Sequence, residues 1–320
     1  APAVDSTISA LELYGFFNEF PIPPSAYNFD LVFSFPPING HPIEGVKVGR
    51  TDSWNDLSPR FVLDYKVAPN VMVFGSVAKG YKAGGFNSVE PLSRFDPEHV
   101  WNFEGGVKSL FADIGVIVNA SVFYFEYSNK QEITLVQGTD GVAHYVVDSS
   151  DQKAHGVDLD ARWQPLNALT LSLSAEYIDS TYKKYVAPDG TNLTGQPTGE
   201  PHWSVAAGAS YVWTLPSSGK IDLSGQFAYR GETRCNADSV AQGNCLVTPH
   251  FTLGSATERL DARLGWSSSK DRWGVAAYVT NLLNKQYVTG ISNLTALDLG
   301  TPVASVSAPR MWGLEARVGL

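Results

Sequence analysis

Six histidines, two cysteines and the glycine pair of YKAGGFN are the places where this sequence has residue types suited to chemistry. His41, His99, His144, His155, His202 and His250 include no pair at the i, i+4 helical spacing of a zinc site. A Ser/His/Asp triad is recognised by geometry and not by chain order, so its members could lie anywhere. Yet no nucleophile-elbow motif and no matched acid/base pair stands out. The glycines of YKAGGFN (81–87) have no phosphate-loop pattern around them and read as a flexible exit from a strand. Cys235 and Cys245 are close in sequence, among polar turn-forming residues, and suit a small loop staple in an oxidising compartment. The alternative is two unrelated free thiols. No catalytic residue, metal site or cofactor is assigned, which leaves binding and passage as the chemistry to explain.

The elements that would position any binding group have a period of two. In VDLDARW (157–163), Val157, Leu159, Ala161 and Trp163 alternate with Asp158, Asp160 and Arg162, giving a strand one apolar and one charged face. The same alternation runs through FVLDYKV, WNFEGGVK, LTLSLSAEY, IDLSGQFAYR, RLDARLGW and MWGLEARVGL. No stretch of helical period competes with it, so the chain is all-β. With 320 residues, a formal net charge of -9 and a mean hydropathy of -0.10, it has no run long enough for a transmembrane helix. No basic cluster points to nucleic acid. APAVDSTISA, at the N-terminus, lacks the charged and apolar regions of a signal peptide.

A soluble sheet packed on a core alternates too. Three features favour a bilayer. The segments run to about ten residues, the length that crosses a membrane at a tilt. Trp101, Trp163, Tyr177, Trp203, Tyr211, Trp213, Tyr229, Trp266, Trp273 and Trp312 sit near segment ends, as interfacial girdles do. Short connections (68–70, 111–113, 164–168, 215–220, 267–271) alternate with long polar ones (80–99, around 137–142, 181–202, 232–256, 284–310). That rhythm belongs to an antiparallel up-and-down transmembrane β-barrel with short inner turns and long external loops. From residue 60 onward there are about eleven segments, and one near 7–17 makes roughly twelve. Arg60, Asp64, Lys66, Glu104, Lys108, Asp158, Asp160, Arg162, Asp261, Arg263, Glu315 and Arg317 then face the lumen. They form either a ladder of opposite charges paired across strands, the safer reading, or a surface for a plug or polar cargo.

Several stretches resemble, in order, the barrel of TonB-dependent outer-membrane receptors. They are SPRFVLDYKVAPNVMVFGSVAKGYKAGGFN from Ser58, PEHVWNFEGGVKS (97–109), GVDLDARWQP (156–165), VTNLLNKQYV (279–288) and APRMWGLEARVGL (308–320). In VTNLLNKQYV, Leu283 stands where the family usually has Phe. The resemblance implies residence in the outer membrane of a Gram-negative bacterium and uptake energised by the TonB complex pulling on a plug domain. The cargo is expected to be a scarce nutrient, foremost a ferric siderophore-type chelate. Family barrels are 22-stranded, so residues 1–320 read as the C-terminal part of one, with no plug domain or TonB box.

Cargo contacts are expected from loop aromatics: Tyr81, Phe86, Phe95, Tyr182, Tyr185 and Tyr287. Partners would be outer-membrane lipid, the plug, the TonB complex and a small-molecule cargo. The competing readings are a passive porin or structural barrel, then a soluble β-sandwich binding module, and last an enzyme.

Overall fold

The computed structural model describes residues 51–87, 93–137, 143–247, 252–292 and 303–319. Contacts divide the chain into two compact units, and the second, Thr51–Val136 with Ala143–Leu320, contains the features below. The strand expected near 7–17 lies outside the described residues.

Its strands in chain order are β1 (Arg60–Ala68), β2 (Val71–Lys82), β3 (Gly85–Phe86), β4 (Arg94–Phe95), β5 (Glu98–Phe111) and β6 (Val116–Gln137). Then come β7 (Ala143–Leu166), β8 (Leu169–Lys184), β9 (Trp203–Leu215), β10 (Gly219–Arg230), β11 (Leu246–Val247) and β12 (Thr252–Leu253). The last are β13 (Thr257–Ser267), β14 (Trp273–Thr280), β15 (Val288–Ser292), β16 (Val303–Val306) and β17 (Met311–Val318). A short helix α1 (Ala237–Ala241) precedes β11. One sheet holds eleven strands in the order β1-β2-β5-β6-β7-β8-β9-β10-β13-β14-β17. Once the loop strands are set aside, each neighbour is the next strand in sequence, which is an up-and-down meander.

Register decides the faces. Val157 lies opposite Tyr177, and Tyr177 opposite Trp203. On the other face Asp158 pairs with Glu176, Glu176 with Ser204, and Ser204 with Arg230. The first face carries exposed Val157, Leu173, Trp203, Leu223, Leu264, Leu314 and Trp312, the pattern of a surface solvated by lipid. Trp163, Tyr211, Trp213, Trp266 and Trp273 lie toward its short-turn end. Trp101, Tyr177, Trp203, Tyr229 and Trp312 lie toward the loop end. All five short connections fall at one end of the meander, as the sequence rhythm requires.

The structure departs from expectation in strand length. β6 has 22 residues and β7 has 24, where about 9–11 cross a bilayer. Their hairpin therefore continues well past the hydrocarbon.

Aromatic rings on the charged face sit on glycines. A Cβ added at Gly156 would lie 2.2 Å from the Tyr177 carbonyl oxygen and 2.4 Å from Phe123 Cζ. Gly156→Ala therefore displaces backbone or ring and is expected to destabilise the fold by about 1–3 kcal/mol. Gly75→Ala, where nothing lies within 4 Å, should stay within about 0.5 kcal/mol. Urea unfolding of both variants in vesicles measures the difference, and equal midpoints would remove the ring-on-glycine contact as a packing element.

β1 and β17 each have one neighbour among the described residues. The other nine pairings in the sheet are antiparallel, and the five-residue connection between β6 and β7 is too short for a parallel crossover. Direction therefore reverses ten times across the eleven strands, and β1 and β17 run the same way.

Candidate functional site

At the loop end lies a polar cleft of about 550 Å³. Glu132 and Thr134 from β6, Thr198 and Glu200 from the β8–β9 connection, Asp238 and Gln242 near α1, and Thr289 from β15 line it. The wall around α1 is a stapled loop. Cys235 and Cys245 are disulfide-bonded, with Cα atoms 5.9 Å apart, as their setting predicts. Asn236 caps the helix by accepting from the Ser239 amide, and the Ser239 hydroxyl accepts from the Asn236 amide. The loop is tied outward as well. Gln242 Oε1 accepts from the Leu135 amide at 2.8 Å, Asn236 Nδ2 donates to the Pro197 carbonyl at 2.6 Å, and Arg234 donates to Asp179 at 2.6 Å. Burial, with the neighbouring charges of Glu132 and Asp148 in support, pushes the Asp238 carboxyl above its ordinary range.

Below the cleft is a groove of about 610 Å³ along the charged face, lined by Phe74, Glu104, Lys108, Asp158, Asp160, Glu176 and Arg230 among others. All twelve charges expected to face the lumen share this face by register. The ladder reading holds for part of them. Arg263 bonds Asp222 at 2.5 Å and lies 3.6 Å from Glu315, and Arg317 pairs with Asp271. It fails at the centre. Asp158 stands directly opposite Glu176, a pairing of like charges. Among the described residues Glu104, Asp158 and Glu176 make no ion pair, while Asp160 accepts from the Ser174 hydroxyl at 2.5 Å. Lys108 instead sits over the Phe74 ring, 5.1 Å from its centroid.

The six loop aromatics are not brought together. Tyr182 and Tyr185 are buried, at 4% and 3% exposure, with ring centroids 4.8 Å apart in a small core with Ala187 and Leu193. As they stand they hold the chain beyond β8 together and expose little surface, while Tyr182 also borders the cleft. The Tyr81 ring lies tilted against His99 with centroids 5.5 Å apart, Phe86 lies 6.2 Å from Trp54, and Phe95 covers Gly85. Tyr287 is half-buried, and its hydroxyl accepts from the Glu258 amide at 3.1 Å. Glu176, Asp222 and Arg230 were missed as lumen charges, although the alternation that places Asp158 places them equally well.

An eleven-stranded meander with one lipid-type face, an acidic inner wall and a stapled loop cleft is the frame into which the comparisons fit. Residues 33–282 match the family described as TonB dependent receptor-like, beta-barrel. The chain belongs to the TonB-dependent receptor β-barrel family. The pesticin receptor of Yersinia enterocolitica is 26% identical to it over 266 residues, covering 79% of this chain and 34% of that receptor, and the Yersinia pestis receptor matches equally. This receptor barrel thus spans about a third of the length of the curated relatives it matches. Among solved structures, the ferric yersiniabactin uptake receptor FyuA from Yersinia pestis superposes with a TM-score of 0.62 at 20% identity, over 81% of this chain and 36% of FyuA. The copper transporter OprC gives 0.59 at 12%, over 81% and 38%. These two establish the fold alone. Family membership places the receptor barrel in the outer membrane of a Gram-negative bacterium.

Proposed function

We propose that this chain forms the C-terminal wall and loop cleft of an outer-membrane receptor for TonB-energised uptake of a scarce nutrient, its cargo a ferric chelate. The observation that carries the reading is the stacking of two polar chambers, a loop-end cleft above a charged inner wall, joined at Arg230. Relatives in kind include receptors for ferric yersiniabactin, ferric preacinetobactin and ferripyoverdine, which supports the cargo class. The like-charged bank of Glu104, Asp158 and Glu176 is unfavourable by itself. Basic side chains of a plug domain would neutralise it, so this wall is proposed as the plug-facing surface. The proposed role is receptor and conduit, with no catalytic step.

The test is uptake of radioiron supplied as ferric yersiniabactin, ferric preacinetobactin or ferric pyoverdine by a receptor-deficient host expressing the full-length receptor. At least one chelate should be taken up about tenfold faster than by the empty host, and only when the host has TonB. Equal uptake without TonB would make the barrel a passive porin. Failure of all three, with no growth advantage under iron restriction, would reject the ferric-chelate cargo.

A further inference from the structure

On the charged inner face β6 carries a file of rings. Tyr127, Phe125 and Phe123 lie opposite Val100, Asn102 and Glu104 of β5, which puts all three on the face of Glu104. Phe123 and Phe125 have centroids 6.0 Å apart and planes 5° apart, and Tyr127 meets Phe125 edge-on at 5.4 Å. On the same face Phe74 of β2 lies opposite Gly106, itself opposite Ser121, the next residue below Phe123 on that side of β6. Glycines lay the file against the wall. A Cβ at Gly106 would meet Phe74 Cε1 at 2.7 Å, just as one at Gly156 would meet Phe123. All four rings are half-exposed.

Both ends of the file reach a chamber. The left-handed backbone of Asn129 (φ 53°) interrupts the alternation of β6, and Lys130 then sits 5.8 Å from the Tyr127 centroid. Lys130 is 3.2 Å from Glu132, which lines the cleft. At the other end Phe74 and Lys108 line the groove. We propose that Tyr127, Phe125, Phe123 and Phe74 are a track along which the flat, uncharged face of an aromatic or conjugated cargo passes from cleft to groove. Passage needs contacts strong enough to enter and weak and repeated enough to leave, and a row of similar ring faces supplies that. The inference rests on the cargo reading above.

The full-length receptor in a receptor-deficient host is assayed for chelate binding without TonB and for initial uptake with it. Phe125→Leu keeps apolar bulk and removes the flat face. It should slow uptake by about two- to tenfold, the worth of one ring contact, with binding unchanged within about twofold. Phe125→Tyr should restore the rate, and Phe103→Leu, on the lipid face of β5, should leave it alone. A normal rate in Phe125→Leu, or binding weakened in step with the rate, overturns the track. So does new sensitivity of that variant to vancomycin without TonB, which would make the rings packing for a plug. Wild-type uptake with a normal Phe125→Leu rate sinks the track and spares the receptor. Absence of all wild-type uptake sinks the receptor reading, and the wall is then read with caffeine, a flat neutral probe, by saturation-transfer NMR on outer-membrane vesicles carrying the full-length chain. A caffeine signal lost in Phe125→Leu upholds a ring-binding wall, and an unchanged signal overturns it.

Discussion

Refolded into detergent, residues 51–320 should give no monomeric species with heat-modifiable gel mobility, whatever their β content by circular dichroism. The reason is the number of strands. Eleven strands alternate in direction, so edge strands β1 and β17 are co-directional and cannot join in the antiparallel pattern of the rest of the sheet. A second copy inserted the same way up does not help, since its β17 meets β1 in the same parallel sense. Left open, each edge of eight or nine residues turns about eight backbone groups toward hydrocarbon. At several kcal/mol each, these exceed the roughly 5–15 kcal/mol that stabilises a folded domain. Completion takes an odd number of further antiparallel strands, wherever they come from. A compact, monomeric, heat-modifiable band from residues 51–320 would show that the sheet closes on itself and that this argument is wrong.

Much of this was legible because lipid and lumen act on alternate residues. A strand with one face in each solvent must alternate, and a one-residue slip would put every Asp and Arg of GVDLDARW into hydrocarbon. That is why eleven segments, their faces, the turn rhythm and the girdle tryptophans were readable. The site was less so, for two physical reasons. Period two says which face a charge occupies and nothing of its neighbour two strands away. Register was needed to place Asp158 against Glu176 instead of against a cation. Loop aromatics obey no period at all. Tyr182, near the loop end of β8, and Tyr185 just beyond it look like contact residues in sequence, but the chain leaving the sheet there needs its own apolar nucleus, and they supply it with Leu193. The cleft is assembled from four separated connections, so no local pattern announces it.

Leu173→Arg and Ser174→Arg, on consecutive residues of β8, should have very different outcomes. Leu173 lies opposite Ala161 on one side and Ala207 on the other, and is 37% exposed on the apolar face. On that strand it falls between Tyr177 toward the loops and Leu169, which pairs with Tyr211 toward the turns. That is mid-depth in the bilayer, where an arginine on the lipid face costs about 2–4 kcal/mol, a factor of roughly thirty to eight hundred in the folding equilibrium. Ser174 points the other way, opposite Asp160, whose carboxylate already accepts from its hydroxyl. An arginine there meets a wet, acidic wall and gains a cross-strand partner, so the change should be neutral or stabilising by a few tenths of a kcal/mol. Urea unfolding of the full-length receptor from phosphatidylcholine vesicles reads both. If Ser174→Arg were the damaging change, the faces would be assigned backwards. Two equally mild changes would mean that neither face meets hydrocarbon, as in a soluble sandwich. The prediction is sharp because backbone, depth and inserted charge are nearly the same for the two positions, and only the solvent differs.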